Sequence, residues 1–129
     1  VTHREEVHAL RRKASEFLAQ AKSALRDGHH NLACFLSDQA VQLYLRSVLL
    51  ELVGDYPRTH SIRLLIRELM RVKPSKDLEE FLNKNRARIS SLEDAYIMAR
   101  YTAKEYEEED ARDSLMLAEE LIRLVGGGA

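Results

Sequence analysis

The sequence predicts an all-α fold, an antiparallel up-and-down helical bundle of five helices, or six if the fourth is broken. Three observations carry this. Apolar residues recur at helical spacing in each segment of the chain. Two prolines and five glycines in 129 residues are too few for the many turns of an all-β domain. Residues 31–53 are apolar on more than one stripe, as a helix wrapped by neighbours on several sides must be. At this length one domain with one core, residues 1–129, is expected.

The first helix is expected over residues 1–26. Leu10, Ala14, Phe17, Leu18, Ala21, Ala24 and Leu25 keep the 3.6-residue period. Asp27-Gly28 stops it, Gly28 being suited to the left-handed conformation of a C-terminal cap. A short His29-His30 turn then makes the next helix antiparallel to it. That central helix, 31–53, spans about 35 Å at 1.5 Å per residue. It carries polar groups that a buried helix must satisfy: Ser37, Asp38, Gln39, Gln42 and Arg46. Unpaired polar groups in a core cost roughly 1–3 kcal/mol each, so these five are the first place to look for function.

Gly54 ends the central helix, and Pro57 holds Tyr56 extended in the following turn. A third helix starts near Thr59 or His60, capped by Thr59 or Ser61, with Ile62, Leu65, Ile66 and Leu69 as its buried stripe. Pro74 closes it, and Ser75 is a good N-cap for the fourth. Leu78, Phe81, Leu82, Ile89, Leu92, Tyr96 and Ala99 stay in helical register, while Asn83-Lys84-Asn85-Arg86 leaves one long helix or two open. The acidic run Glu105, Glu107, Glu108, Glu109 and Asp110 precedes a last helix, 110–125. Negative charge at its N-terminus contributes about 0.3–1 kcal/mol. Its inner face is Ala111, Leu115, Ala118, Leu121, Ile122 and Val125.

Composition excludes several classes of function. A formal net charge of −1 gives the whole molecule no general attraction to nucleic acid, so any such affinity must come from a local patch. Arg46 and Glu51 interrupt the longest apolar run, and no transmembrane helix is expected. No leader is expected either, and the single Cys34, inside the apolar run, fits a reducing compartment; a cytoplasmic location is expected. The five histidines show no zinc spacing, the lone Glu5-Glu6-Val7-His8 is not a di-iron bundle motif, and no Gly-rich phosphate loop exists. No metal and no cofactor are therefore expected. Cys34 reads as packing rather than as a nucleophile.

Two constellations remain. Arg63, Arg67 and Arg71 are four apart and line one face of the third helix; Arg58, Lys73, Lys76, Lys84, Arg86 and Arg88 extend the charge. Such a basic face can hold phosphates through guanidinium forks, or it can be a solvated face paired with the acidic segment. Gln39, Arg46, His60, Tyr96, Arg100 and Tyr101 form the second, a set at inward-looking positions that points to a polar cleft. Tyr96 and Arg100 share one helix face.

Four pieces carry a family resemblance. They are Phe17-Leu18-Ala19-Gln20-Ala21, the stretch from Cys34 to Arg46 with Gln39-Ala40, Thr59-His60-Ser61-Ile62 with Leu64-Leu65, and Ala95-Tyr96-Ile97-Met98-Ala99-Arg100-Tyr101. Together and in this order they resemble the HEPN (higher eukaryotes and prokaryotes nucleotide-binding) domain. The resemblance implies an all-α bundle, a homodimer, and a small nucleotidyltransferase partner of toxin–antitoxin type, with nucleotide or RNA as ligand. The RNA-cleaving branch has an Arg and a His with four to six residues between them. After Arg100 this sequence has no such His, and Arg4 to His8 and Arg26 to His30 are each one residue short. No catalytic residue is therefore assigned, and a non-catalytic binding module is expected. Arg46, His60 and Arg100 are the candidate phosphate or nucleotide contacts, with Tyr96 and Tyr101 stacking or hydrogen bonding. Two alternatives stay open: a ribonuclease pairing Arg100 with His60 despite their separation, and a bundle that only dimerises.

Overall fold

The computed structural model describes residues 1–126. Six helices follow one another: α1 (His3–Arg26), α2 (His30–Val53), α3 (Ile62–Val72), α4 (Lys76–Lys84), α5 (Arg86–Tyr101) and α6 (Glu108–Val125). The alternative of a broken fourth helix is the one realised. Asn85 closes α4 and opens α5. Its side-chain amide donates to the Phe81 carbonyl at 2.9 Å, and its side-chain oxygen accepts from Arg88 Nη1 at 2.7 Å. The side chain thus satisfies a carbonyl at the end of α4 and holds the Arg88 side chain in the first turn of α5, without capping an α5 amide.

The central helix is α2, which packs against α1, α3, α5 and α6. Val41, Leu45, Val48 and Leu49 of α2 meet Ile62, Leu65, Ile66 and Leu69 of α3, Ile89 and Leu92 of α5, and Leu117 and Leu121 of α6 in the main core. Burying each such side chain contributes about 1.5–3 kcal/mol. Against α1 the interface is instead small: Ala14, Ala21 and Ala24 are buried, as are Ala33 and Ala40 of α2. Small side chains let the two longest helices approach closely.

The turn between α1 and α2 follows the sequence expectation. Gly28 has φ +78°, the His29 amide donates to the Ala24 carbonyl and the Gly28 amide to that of Leu25. This is the paired C-terminal cap that satisfies two orphan carbonyls. Gly54 repeats the left-handed turn at the end of α2, with φ +84°.

Four helix starts differ from expectation: α1 opens at His3 and not at residue 1, and His30 belongs to α2 and not to the turn. The third helix opens at Ile62, capped by Ser61 and not Thr59: Ser61 Oγ accepts from the Leu64 amide at 3.1 Å. His60 therefore lies outside the helix. The last helix opens at Glu108, two residues early, because Glu107 and Asp110 form a reciprocal capping box. The connection before it carries a core residue that periodicity could not show. Tyr106 is buried, and its amide donates to Asn31 Oδ1 at 2.8 Å. Together with Cys34 and the small residues Ala24, Ala33, Ala95 and Ala111 it forms a second apolar cluster.

Candidate functional site

The polar residues of α2 line up at i, i+4 and i+8. Asp38 and Gln42 are fully buried. Gln42 Nε2 donates to both Asp38 oxygens, at 3.0 and 2.9 Å, and Gln39 Nε2 donates to Oδ2 at 3.1 Å. Gln42 Oε1 accepts from Arg46 Nη2 at 3.0 Å, and the same nitrogen donates to the Thr59 carbonyl at 2.9 Å. The chain of bonds has one direction, because Arg46 can only donate and so fixes the Gln42 amide with its nitrogen towards Asp38. It ties the interior of α2 to the backbone just before His60.

Two buried polar atoms in this region stay without a partner among the described residues, Ser37 Oγ and Arg46 Nε. Burial is also what pushes the Asp38 carboxyl up to about 7, against the lowering effects of Gln42, Gln39 and Arg46. No lysine or arginine forms an ion pair with it among the described residues. It is an acid that the fold holds near neutrality.

Above this chain sits an aromatic and cationic cluster. His60 stacks on Tyr96, ring centroids 3.9 Å apart and 20° from parallel, and Phe35 lies 6.3 Å from the same tyrosine ring. The Arg100 guanidinium lies 4.3 Å from the Tyr96 centroid, 4.7 Å from Phe35 and 4.4 Å from Tyr101, and at an exposed site such a contact is worth about 0.5–1 kcal/mol. Arg100 Nε donates to the Tyr96 carbonyl at 2.8 Å, and among the described residues neither terminal nitrogen has a hydrogen-bond partner. Desolvation first, then the positive charges of Arg46 and Arg100, hold the His60 imidazole below its usual range. It is thus neutral at neutral pH, able to accept a proton or a hydrogen bond.

A cavity of about 510 Å³ adjoins this cluster, lined by Thr59, His60, Ser61, Glu93, Asp94, Tyr96, Ile97 and Met98. Glu93 is tied down: one of its oxygens accepts from Ser61 Oγ at 3.1 Å and from the Arg63 amide at 3.2 Å, and the other from Arg63 Nη2 at 3.1 Å. The site thus has a cationic aromatic side at Arg100 and an acidic side at Glu93 and Asp94.

The structure brings together Arg46, His60, Tyr96, Arg100 and Tyr101, but not all at inward positions. Tyr96 and Arg46 are half-buried, whereas His60, Arg100 and Tyr101 are exposed, Tyr101 at 68%. His60 lies in the connection before α3, and Arg100 and Tyr101 are in the last turn of α5, where Tyr101 is a further 100° step away from the face of Tyr96 and Arg100. Phe35 and Glu93 belong to the site and were not singled out by sequence. Phe35 reads as core within an apolar run; Glu93 stands three and seven residues before Tyr96 and Arg100, the spacing of one helix face. The basic stripe Arg63, Arg67 and Arg71 lies on another groove. Cys34 is buried, its thiol pushed up to about 11 by burial, consistent with packing. No group of three or more His, Cys, Asp or Glu that could hold a metal ion exists among the described residues. None of the described helices is long and apolar enough to cross a membrane.

Comparison with known proteins adds three findings. The HEPN domain model matches residues 7–127. A crystal structure of a protein from Thermus thermophilus is similar at TM-score 0.77 and 26% identity, over 95% of this chain and 98% of that one. The crystal structure of an archaeal HEPN homologue is similar at TM-score 0.70 and 26% identity, over 94% of this chain and 95% of that one. No curated protein matches.

Proposed function

This chain belongs to the HEPN domain family, and from that premise we propose that it is a non-catalytic nucleotide-binding module whose ligand sits at Arg100. The observation that carries the reading is the Arg100 guanidinium, held by three rings and its own Nε bond, with its outer nitrogens uncommitted. A preset guanidinium loses little freedom on binding and matches the geometry of phosphate. In the adjoining cavity the Asp94 carboxylate, which Glu93's bonds to Ser61 and Arg63 leave as the free acid of the pair, accepts from the amino or hydroxyl donors of a nucleoside. Phosphate is thereby directed to one side of the site and the nucleoside to the other.

Titration calorimetry with ATP tests this. Arg100→Ala is expected to weaken binding by about tenfold, the loss of one charged hydrogen-bonding partner; equal affinities would remove Arg100 from the site. The chain acts as a homodimer beside a small nucleotidyltransferase of a toxin–antitoxin type pair. What supports this is the family-like motif order, together with the exposed apolar side chains Ile97 and Tyr101 one turn apart on α5, next to the cavity. Solution mass and co-purification of the two chains are the measurements.

One observation favours a second reading, an RNA-cleaving site. His60 and Arg100 are forty positions apart in sequence, yet both rest against the Tyr96 ring. A neutral imidazole beside a guanidinium is the pairing that general-base attack on a phosphodiester requires. Under this reading, purified protein cleaves labelled single-stranded RNA and His60→Ala abolishes cleavage. Intact RNA, or cleavage that survives His60→Ala, rejects it.

A further inference from the structure

The arginine stripe of α3 forms one wall of a groove that shares no lining residue with the cavity beside His60 and Tyr96. Arg63, Arg67, Met70 and Arg71 stand at i, i+4, i+7 and i+8, on one face of α3. Leu82 and Asn83 near the end of α4, with Arg86 and Ile89 at the start of α5, complete a space of about 520 Å³. Its apolar floor is Met70, Leu82 and Ile89, and neither a carboxylate nor an aromatic ring lines it. Two of its cations are compensated from outside, Arg63 by Glu93 at 3.1 Å and Arg71 by Glu68 at 3.0 Å. Arg67 has no ion-pair partner among the described residues, and Arg86 reaches only the neutral Asn83 Oδ1, at 3.1 Å. Arg86 also opens α5, whose first turn holds no acid, and the helix dipole disfavours a cation there. Arg67 and Arg86 thus lack counter-charge beside an apolar floor.

We infer that this groove docks an acidic segment of a partner protein, with carboxylates on Arg67 and Arg86 and an apolar side chain on Met70, Leu82 and Ile89. The other two arginines of the groove already show the chemistry, each complemented by a carboxylate. A carboxylate fits the guanidinium fork, and arginine clusters recur where acidic motifs are read. Arginine and methionine are also enriched at protein–protein interfaces. A nucleic-acid strand would supply negative charge but leave the apolar floor without a partner, and it would find no ring on which to stack a base. The acidic run of this chain is not the occupant, because it is engaged elsewhere. Glu105 accepts from Asn31 at 3.0 Å, Glu107 and Asp110 cap α6, Glu108 pairs with Arg112, and Asp113 pairs with Arg88 at 2.7 Å. The segment therefore comes from a different protein.

Anisotropy of a fluorescein-labelled peptide, Gly-Glu-Glu-Leu-Glu-Glu-Gly, titrated with the full chain tests this. Arg67→Gln and Arg86→Gln are each expected to weaken binding about tenfold, the loss of one charge-assisted contact. Serine in place of the peptide's leucine weakens it about tenfold as well, since the floor is then left uncovered. Arg12→Gln, the same charge change on α1, and Arg100→Ala leave the affinity unchanged. These variants replace exposed side chains, and thermal unfolding followed by circular dichroism confirms that each one folds. Absence of binding, full affinity in the groove variants, an equal loss in Arg12→Gln or Arg100→Ala, or indifference to the leucine overturns the inference. So does a uridine oligonucleotide of the same charge that binds more tightly with the same dependence on Arg67 and Arg86, which assigns the groove to nucleic acid. A solution mass that falls in Arg67→Gln, which seats a second copy of the chain in the groove, overturns it too.

Discussion

Asp38→Asn is expected to stabilise the protein by about 3 kcal/mol above pH 7 and to destabilise it by about 1 kcal/mol below pH 4. The cause is the position of the carboxyl. Burial holds it at about 7 in the folded chain, against an ordinary value of 3.8. Between those values the folded state binds the proton and the unfolded state does not. Stability of the wild type therefore falls as pH rises through this window, and the full loss of about 4 kcal/mol is reached above the folded value. Asparagine carries no charge to desolvate at any pH. Its amide oxygen at the Oδ2 position still accepts from Gln42 Nε2 and Gln39 Nε2, so only the 3.0 Å contact at Oδ1 is given up, a loss of about 1 kcal/mol. Urea unfolding across pH 4 to 8 measures both chains. The wild-type midpoint should fall with rising pH while that of the variant stays flat, at equal m values. Parallel curves would mean that Asp38 titrates normally and the buried acid is not a source of instability.

A destabilising acid in the centre of α2 makes sense as part of a positioning device. Asp38 orients Gln42, Gln42 orients Arg46, and Arg46 holds the Thr59 carbonyl. The segment so held presents His60 to Tyr96. Stability given up in the interior is returned as a fixed geometry at the cluster, a pattern found where function constrains a site.

How far this could be read from sequence differs element by element. The core stripe of α3 was legible: Ile62, Leu65, Ile66 and Leu69 are all buried, because an amphipathic helix declares its inner face by period alone. The all-round apolarity of α2 was legible for the same reason. The break at Asn85 was not, since Asn83 and Asn85 are equally polar and only the bond to the Phe81 carbonyl decides between them. Tyr106 was hidden because a residue in an irregular connection has no period to betray it. At the site, Tyr96 with Arg100 followed from their spacing of four. The meeting of His60 with that pair depends on the direction of the α2–α3 connection, which is tertiary. The split of the basic residues was likewise invisible: Arg88 turns to Asp113 on α6 at 2.7 Å, while Arg86, two residues earlier, enters the groove. Two helical steps, about 200° in all, separate the two roles.

Arg46→Ala is expected to cost about 2 kcal/mol of stability and to raise the pKa of His60. The stability loss arises because Gln42 Oε1, deep in the bundle, and the Thr59 carbonyl both lose a charged donor, partly offset by removal of the buried Nε that has no partner. The shift of His60 follows from charge: Arg46 and Arg100 each disfavour the imidazolium, so deleting either raises the pKa towards the ordinary 6.5. The two deletions then separate mechanism from architecture. Arg100 is exposed and donates only to a carbonyl at the end of its own helix; beyond that bond its removal loses the ring contacts, about 1 kcal/mol together at an exposed site. Arg100→Ala should therefore raise the His60 pKa at a smaller cost in stability than Arg46→Ala. Proton NMR titration of His60 in both variants, beside urea unfolding, measures the pair of effects. In the Asp38→Asn background above pH 7, Arg46→Ala should cost less than in the wild type, because the guanidinium no longer attracts a carboxylate there. An equal cost in both backgrounds would mean that the guanidinium acts through its bonds to Gln42 and Thr59 alone, and that the charge of the interior acid is energetically separate from it.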